Sequence, residues 1–274
     1  GFGGISGVLL FDRGARLLAV TDRARWIMAD VTYDGDRLTE LTNARTGLLK
    51  NRKGKRLSNS RLWDAEAIDF YGSKISDGVI VGFERDTRIE RYKLKKNGLT
   101  GASRLILVPK GLERGRNNKE LESVGRFTSG PHKGKFIGIS EANFDKNGNV
   151  IAYLWRGQRK KQERFAIKRQ NDFQVTDIAL LDDGDFVILE RKLGTFRIPS
   201  MAIRYFKAGE IGAGKTAVGR VLMSAAAPAY AVDNMEGLSA HKDMQGRTIF
   251  TIVSDNNFNT SLQRTLLLQF VWQK

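Results

Sequence analysis

Five times along this chain, a short β-like run is followed by a hydrophobic run that an acid closes, and in four of the five an acid also opens the first run, a periodicity that admits few folds. The openers read Glu66-Ala67-Ile68, Glu122-Ser123-Val124, Asp177-Ile178-Ala179 and Glu236-Gly237-Leu238, with Gly3-Gly4-Ile5 in the same place, without the acid, in the first unit. The closers are Asp22, Glu84, Glu141, Glu190 and Asp255, each at the end of a run such as Val253-Ser254-Asp255. Units roughly 55–60 residues long, each with several strands, are the signature of a propeller or a related array.

Turn chemistry supports that reading. Asp12-Arg13-Gly14, Asp34-Gly35-Asp36, Lys96-Asn97-Gly98, Lys146-Asn147-Gly148 and Asp183-Gly184-Asp185 all separate hydrophobic runs. Asn and Gly tolerate the positive φ that tight hairpins need. The runs between them are rich in β-branched and aromatic residues, and helical periodicity is hard to find. In the first unit, strands are expected over 6–11, 17–22, 26–33 and 38–42, one four-stranded antiparallel blade. Only three runs follow Asp233, so ring closure, and a count of five or six blades, stays open. The expectation is an all-β propeller forming one domain over residues 1–274.

Composition narrows the chemistry. Cysteine is absent, which excludes disulfides, thiolate metal sites and cysteine nucleophiles and is compatible with an oxidising compartment. No stretch reaches the roughly 18 apolar residues that cross a bilayer. The chain opens on Gly1 with nothing like a signal peptide, the expectation for a processed or trimmed product. A net charge of +16 attracts polyanions or simply keeps the surface soluble. Basic residues concentrate in the loops 50–61, 110–119 and 156–169, which read as solvated insertions. The first carries no interleaved aromatic residue for base stacking, so nucleic acid is not the expected partner.

In an antiparallel pair, the start of one strand and the end of the next lie at the same end. The openers and closers should therefore gather at one mouth of the central channel: Asp22, Glu66, Glu84, Glu122, Glu141, Asp177, Glu190, Glu236 and Asp255. Hard oxygen donors with Asn neighbours, as in Asp255-Asn256-Asn257 and Asp233-Asn234, suit Ca²⁺. Arginine follows three closers, in Asp22-Arg23, Glu84-Arg85 and Glu190-Arg191. Acid and base can pair between blades and lock the ring, or the arginines can hold a phosphate or carboxylate.

Other motifs read as structural. Gly209-Glu210-Ile211-Gly212-Ala213-Gly214-Lys215-Thr216 matches the phosphate-loop pattern and Ala217–Ala227 has a helical look, yet no βαβ unit surrounds it, so a flexible inter-blade loop is expected. Asp145-Lys146-Asn147-Gly148-Asn149 begins like a calcium loop but lacks its sixth-position Gly and twelfth-position Glu. No serine elbow occurs. Ser6 and Ser239 read as equivalent packing positions, a Ser239–His241 dyad is a weak option, and His132 sits in a turn expected to be exposed.

The order of several short motifs resembles the esterase-like activity of phytase family. They are Phe2-Gly3-Gly4-Ile5-Ser6-Gly7, Leu18-Ala19-Val20-Thr21-Asp22-Arg23, Asp64-Ala65-Glu66-Ala67-Ile68, Asn234-Met235-Glu236-Gly237-Leu238-Ser239 and Ser254-Asp255-Asn256-Asn257-Phe258. Ala67 departs from the Gly usual there. The resemblance implies an exported (periplasmic or secreted) β-propeller with an acidic, Ca²⁺-binding channel mouth. It implies ester or phosphomonoester hydrolysis in which Glu66, Glu84 and Glu236 carry the chemistry. Asp22, Glu141, Glu190 and Asp255 would join them around the metal, and Arg23, Arg85 and Arg191 would clamp an anionic, phosphorylated small molecule. A monomer is expected. The alternative is a non-catalytic propeller that binds an anionic ligand or a protein partner.

Overall fold

The structure, a computed structural model, describes residues 3–113, 121–194, 198–259 and 261–273. Phe2 of the first motif and most of the second basic loop lie outside the described residues. The fold is a five-bladed β-propeller, which settles the blade count. Blade 1 is β1 (Ile5–Phe11), β2 (Arg16–Thr21), β3 (Arg25–Asp34) and β4 (Arg37–Leu48), and blade 2 is β5 (Ala65–Phe70), β6 (Val79–Phe83), β7 (Arg88–Lys95) and β8 (Gly98–Ile106). Blade 3 contains β9 (Leu121–Arg126), β10 (Phe136–Phe144), β11 (Val150–Trp155) and β12 (Glu163–Ile167). Blade 4 is built from β13 (Gln174–Leu180), β14 (Phe186–Leu193), β15 (Pro199–Phe206) and β17 (Arg220–Ala226), and β16 (Thr216–Ala217) crosses over to pair in parallel with β12 of blade 3. Blade 5 has the three strands β18 (Met235–Lys242), β19 (Thr248–Ser254) and β20 (Leu267–Trp272). The only helical pieces among the described residues are short 3₁₀ turns.

The inner strands of each sheet are buried on both faces, so they read as near-continuous apolar runs. On β2, Leu18 and Val20 enter a cluster shared with Val79, Val81 and Phe83 of blade 2. The intervening Leu17 and Ala19 enter a cluster shared with Val253 and Leu267 of blade 5. Alternation of side chains across the strand produces this division. Five such clusters fill the five joints between blades. The innermost strands contact one another in the ring order β1, β5, β9, β13, β18 and back to β1.

The phosphate-loop look-alike is corrected here. Residues 208–217 form a strap rather than a flexible loop or a phosphate cradle. Ile211 and Ala217 are buried against blade 3, the Ala166 N–H donates to the Lys215 carbonyl, and Lys215 Nζ donates to the Gly209 carbonyl at 2.7 Å. The segment expected to be helical is strand β17. Apolar contact with the neighbouring blade outweighs the weak helical preference of this Ala-rich stretch. His132 is also buried rather than exposed, with Nε2 2.9 Å from the Ala208 carbonyl.

Candidate metal and active site

Every innermost strand carries a β-bulge at the same place. The register skips one residue on each: Ser6, Glu66, Glu122, Thr176 and Glu236. A bulge adds a residue with no partner opposite it and re-aims its side chain. The position after the bulge is tight because the inner strands converge. A Cβ on Gly237 would sit 3.2 Å from the Val8 nitrogen and 2.7 Å from Val253 Cγ1.

This register corrects the fourth unit. Its bulge residue is Thr176, and Asp177 lies one step further along, with Oδ2 accepting the Leu238 N–H of blade 5 at 2.7 Å. On the second strands, the residues that follow the partner of the last residue before the bulge are Asp22, Glu84, Glu141, Arg191 and Asp255. Arg191 therefore occupies the closer position expected for Glu190. Glu190 points into the blade, where its oxygens receive Arg204 Nη2 and Nε at 2.6 and 2.7 Å. Arg204 Nη1 also donates to the Lys168 and Val218 carbonyls, so this fully buried pair fastens blade 4 to blade 3. Glu190 is thus outside the group gathered at the mouth. The same register makes Ser6, not Ser239, the repeat equivalent of Glu236. Ser239 Oγ accepts the Leu10 N–H at 2.8 Å, which gives it a structural role at the seam of the ring.

The remaining acids converge. Carboxylate oxygens of Asp64, Glu66 and Glu84 lie within 4.8 Å of one another, and so do those of Glu84, Glu122 and Glu141. Glu84 belongs to both triads. Burial and repulsion from Asp64, Glu236, Glu84 and Asp22 push the Glu66 carboxyl well above the usual range. Burial, then Glu66 and Glu141, do the same to Glu122. A hydrogen bond between Glu66 and Asp64 accompanies this shared protonation. On the opposite side of the mouth, burial raises Glu236 to about 7 against the pull of Arg191, and burial with Asp255 raises Asp22 to about 6. Among the described residues, Asp22 Oδ1 is buried without a hydrogen-bond partner, as are Ser123 Oγ and Thr176 Oγ1.

The three candidate arginines have different surroundings. Arg85 Nε pairs with Asp64 at 2.7 Å. Arg191 Nη1 bridges Glu236 and the Asn234 side-chain oxygen, and Asn234 Nδ2 donates to Glu236 at 2.7 Å. Arg23 has no carboxylate at ion-pair distance among the described residues and lies 3.4 Å above the Phe258 ring. Acid–base pairing between blades therefore does occur, at Arg191–Glu236, and within blade 2 Arg85 pairs with Asp64. The two triads bring five carboxylates together, an excess of acidic groups at the mouth.

That excess fits a hard divalent cation. Oxygen-only donors, a buried Asp22 oxygen without a partner among the described residues and mutual repulsion that lifts carboxyl pKa values are features of a cation-binding donor set. Sequence reasoning missed Asp64 as a triad member, although its Asp-x-Glu spacing from Glu66 was visible. Thr176 and Ser123 gave no sequence signal, since an isolated hydroxyl residue in a strand is ordinary.

Comparison with curated proteins finds no match. A family model described as Phytase-like, esterase-like activity of phytase, matches residues 1–258. With the propeller and its acidic mouth in place, the chain belongs to the esterase-like activity of phytase family.

Proposed function

We propose that the protein is a metal-dependent phosphoesterase whose centre is the acidic channel mouth. The observation that carries this reading is the pair of carboxylate triads sharing Glu84. Asp64, Glu66, Glu84, Glu122 and Glu141 would hold the ion, and Ca²⁺ is the assigned metal because every donor is a hard oxygen. When bound, such an ion polarises an ester oxygen and neutralises charge on the phosphoryl group.

The chain's own groups supply the rest. Glu236, with a pKa near neutrality and its orientation fixed by Arg191 and Asn234, is suited to take a proton from an attacking water. Arg23 presents a guanidinium edge to an anionic group entering the mouth, and Asp22 and Asp255 flank that entrance. Export belongs to the same proposal, because millimolar extracellular Ca²⁺ saturates even a weak site.

The test is phosphate release from p-nitrophenyl phosphate, with p-nitrophenyl acetate as the plain ester control. Release should require Ca²⁺, vanish with chelator, and fall by roughly a hundredfold or more in Glu66→Gln and Glu236→Gln. Release that is indifferent to both chelator and these variants would exclude the mouth as the centre.

A further inference from the structure

The first strand of each blade starts at the mouth and the strands of a blade run antiparallel. Connections after second and fourth strands therefore lie at the mouth end, and those after first and third strands at the far end. Among the described residues, four large apolar side chains are more than half exposed: Leu262 at 82%, Met244 at 69%, Tyr230 at 64% and Leu193 at 59%. Leu193, Tyr230 and Leu262 all stand at the mouth end of blades 4 and 5, whereas Met244 is in the β18–β19 turn at the far end. One exposed leucine is ordinary, but three such side chains on adjoining loops make a patch.

Hydrogen bonds tie these loops to one another. The β14–β15 pair runs two residues beyond Arg191, as far as Leu193 opposite Pro199, and the Ala227 N–H donates to the Pro199 carbonyl at 3.0 Å. The Arg264 N–H donates to Asp233 Oδ2 at 2.9 Å, which joins the Leu262 loop to the segment that carries Tyr230. That segment reads Ala225-Ala226-Ala227-Pro228-Ala229-Tyr230-Ala231-Val232, and Pro228, Ala229, Tyr230 and Ala231 are all exposed. Charged residues make up 28% of the chain, so eight successive uncharged positions with four at the surface are out of keeping with a merely solvated loop.

The rest of this face is cationic. The connection 49–64 between blades 1 and 2, also at the mouth end, carries six lysines and arginines, all exposed, against the single acid Asp64. Lys192 and Arg264 flank the apolar loops themselves. Asp233 is the one acid in residues 225–234, and its carboxylate accepts the Asn234 and Arg264 N–H groups. Glu84, Glu122 and Glu141 are buried, so the acidic mouth is recessed beneath a basic and apolar surface.

We propose that the mouth face docks reversibly on an anionic lipid bilayer, with Leu193, Tyr230 and Leu262 as its inserting side chains. Aliphatic tips enter the boundary of the acyl region, a tyrosine rests at headgroup level, and lysines and arginines meet anionic headgroups. A net charge of +16 draws the chain to such a surface, whereas a second copy of the chain would bring the same +16 and be repelled. The inference goes beyond the phosphoesterase reading and does not depend on it, since docking needs neither the metal nor the buried carboxylates.

The experiment is sedimentation of the chain, in chelator, with vesicles of mixed phosphatidylglycerol and phosphatidylcholine, against vesicles of phosphatidylcholine alone. Binding to the anionic vesicles should be stronger by roughly tenfold or more. Combined Leu193→Ser, Tyr230→Ser and Leu262→Ser should weaken it by roughly tenfold or more with the melting temperature unchanged, because all three side chains are exposed. The chain has no cysteine, so Leu262→Cys and Met244→Cys each accept one environment-sensitive fluorophore. The label on Leu262→Cys should shift to the blue on anionic vesicles, and the label on Met244→Cys should not. Absence of vesicle binding overturns the proposal. Binding indifferent to the triple variant, or equal shifts from both labels, reduces it to adsorption by charge and overturns the docked face. A blue shift from Leu262→Cys that grows with protein concentration in the absence of vesicles places a second copy on the rim and overturns the lipid assignment. Vesicle binding without Ca²⁺-dependent ester cleavage would sink the hydrolase and leave the docking face standing, and cleavage without vesicle binding would do the reverse.

Discussion

Glu122→Gln separates a cation site from a lattice of structural ion pairs. Burial, then Glu66 and Glu141, hold the Glu122 carboxyl well above the usual range, which favours its neutral form in cation-free protein. Glutamine has the shape and neutrality of that protonated acid. The cation-free variant should therefore match its parent to within about 1 kcal/mol. With Ca²⁺ the variant loses one carboxylate of the Glu84–Glu122–Glu141 triad. A roughly hundredfold loss of affinity removes about 2.7 kcal/mol of cation-linked stability. For a chain of this size that is roughly 5–10 °C in melting temperature. The assay is a pair of thermal melts, one in chelator and one in excess Ca²⁺. A variant that melts several degrees low by the same amount in both would show an ionised, paired Glu122 and refute the reasoning.

Other outcomes follow from single contacts. Arg204→Met should cost about 3–5 kcal/mol in denaturant unfolding, because it strands buried Glu190, and adding Glu190→Leu should recover most of that loss. His241, lowered by burial from 6.5 to about 4, binds its proton in the unfolded chain and not in the fold. Its contribution is complete above pH 6.5 and declines as pH falls toward 4, by about 2 kcal/mol once partial exposure is allowed for. Asp69, raised by burial to about 7, works in the opposite direction, since its ionisation penalty disappears as pH falls. The His241 effect is therefore read as the difference between parent and His241→Gln stability profiles, and identical profiles would contradict it.

The fold was legible because acid-flanked runs and Asn-Gly turns are local signals. The mouth was legible for the same reason at Glu66, Glu84, Glu122, Glu141, Glu236, Asp22 and Asp255. What misled was the bulge. It inserts one residue into every inner strand, so in the fourth unit the eye takes Asp177 and Glu190 where the register places Thr176 and Arg191. Both acids do other work, Asp177 on the Leu238 N–H and Glu190 on Arg204. Neither role has a sequence signature, since each depends on a neighbouring blade. The stacking of Arg23 on Phe258 was hidden similarly: the two are 235 positions apart, and only ring closure brings them together.

That closure divides the molecule into unequal joints. Four joints link blades that follow one another in the chain, while the fifth joins blade 5 to blade 1 across the longest separations. Gly4 reaches Asp255 over 251 positions, Leu10 reaches Ser239 over 229, and Asp36 meets Arg247 over 211. Its apolar cluster is also the smallest of the five among the described residues. The chain-entropy cost of closing so large a loop falls on this one joint. The antiparallel blades form from local contacts, so sealing the ring is the late event of folding, and parting at this seam is the least costly large opening of the native state. Asp22 and Asp255 stand on either side of it, so the mouth takes its final shape only when the two ends of the ring meet.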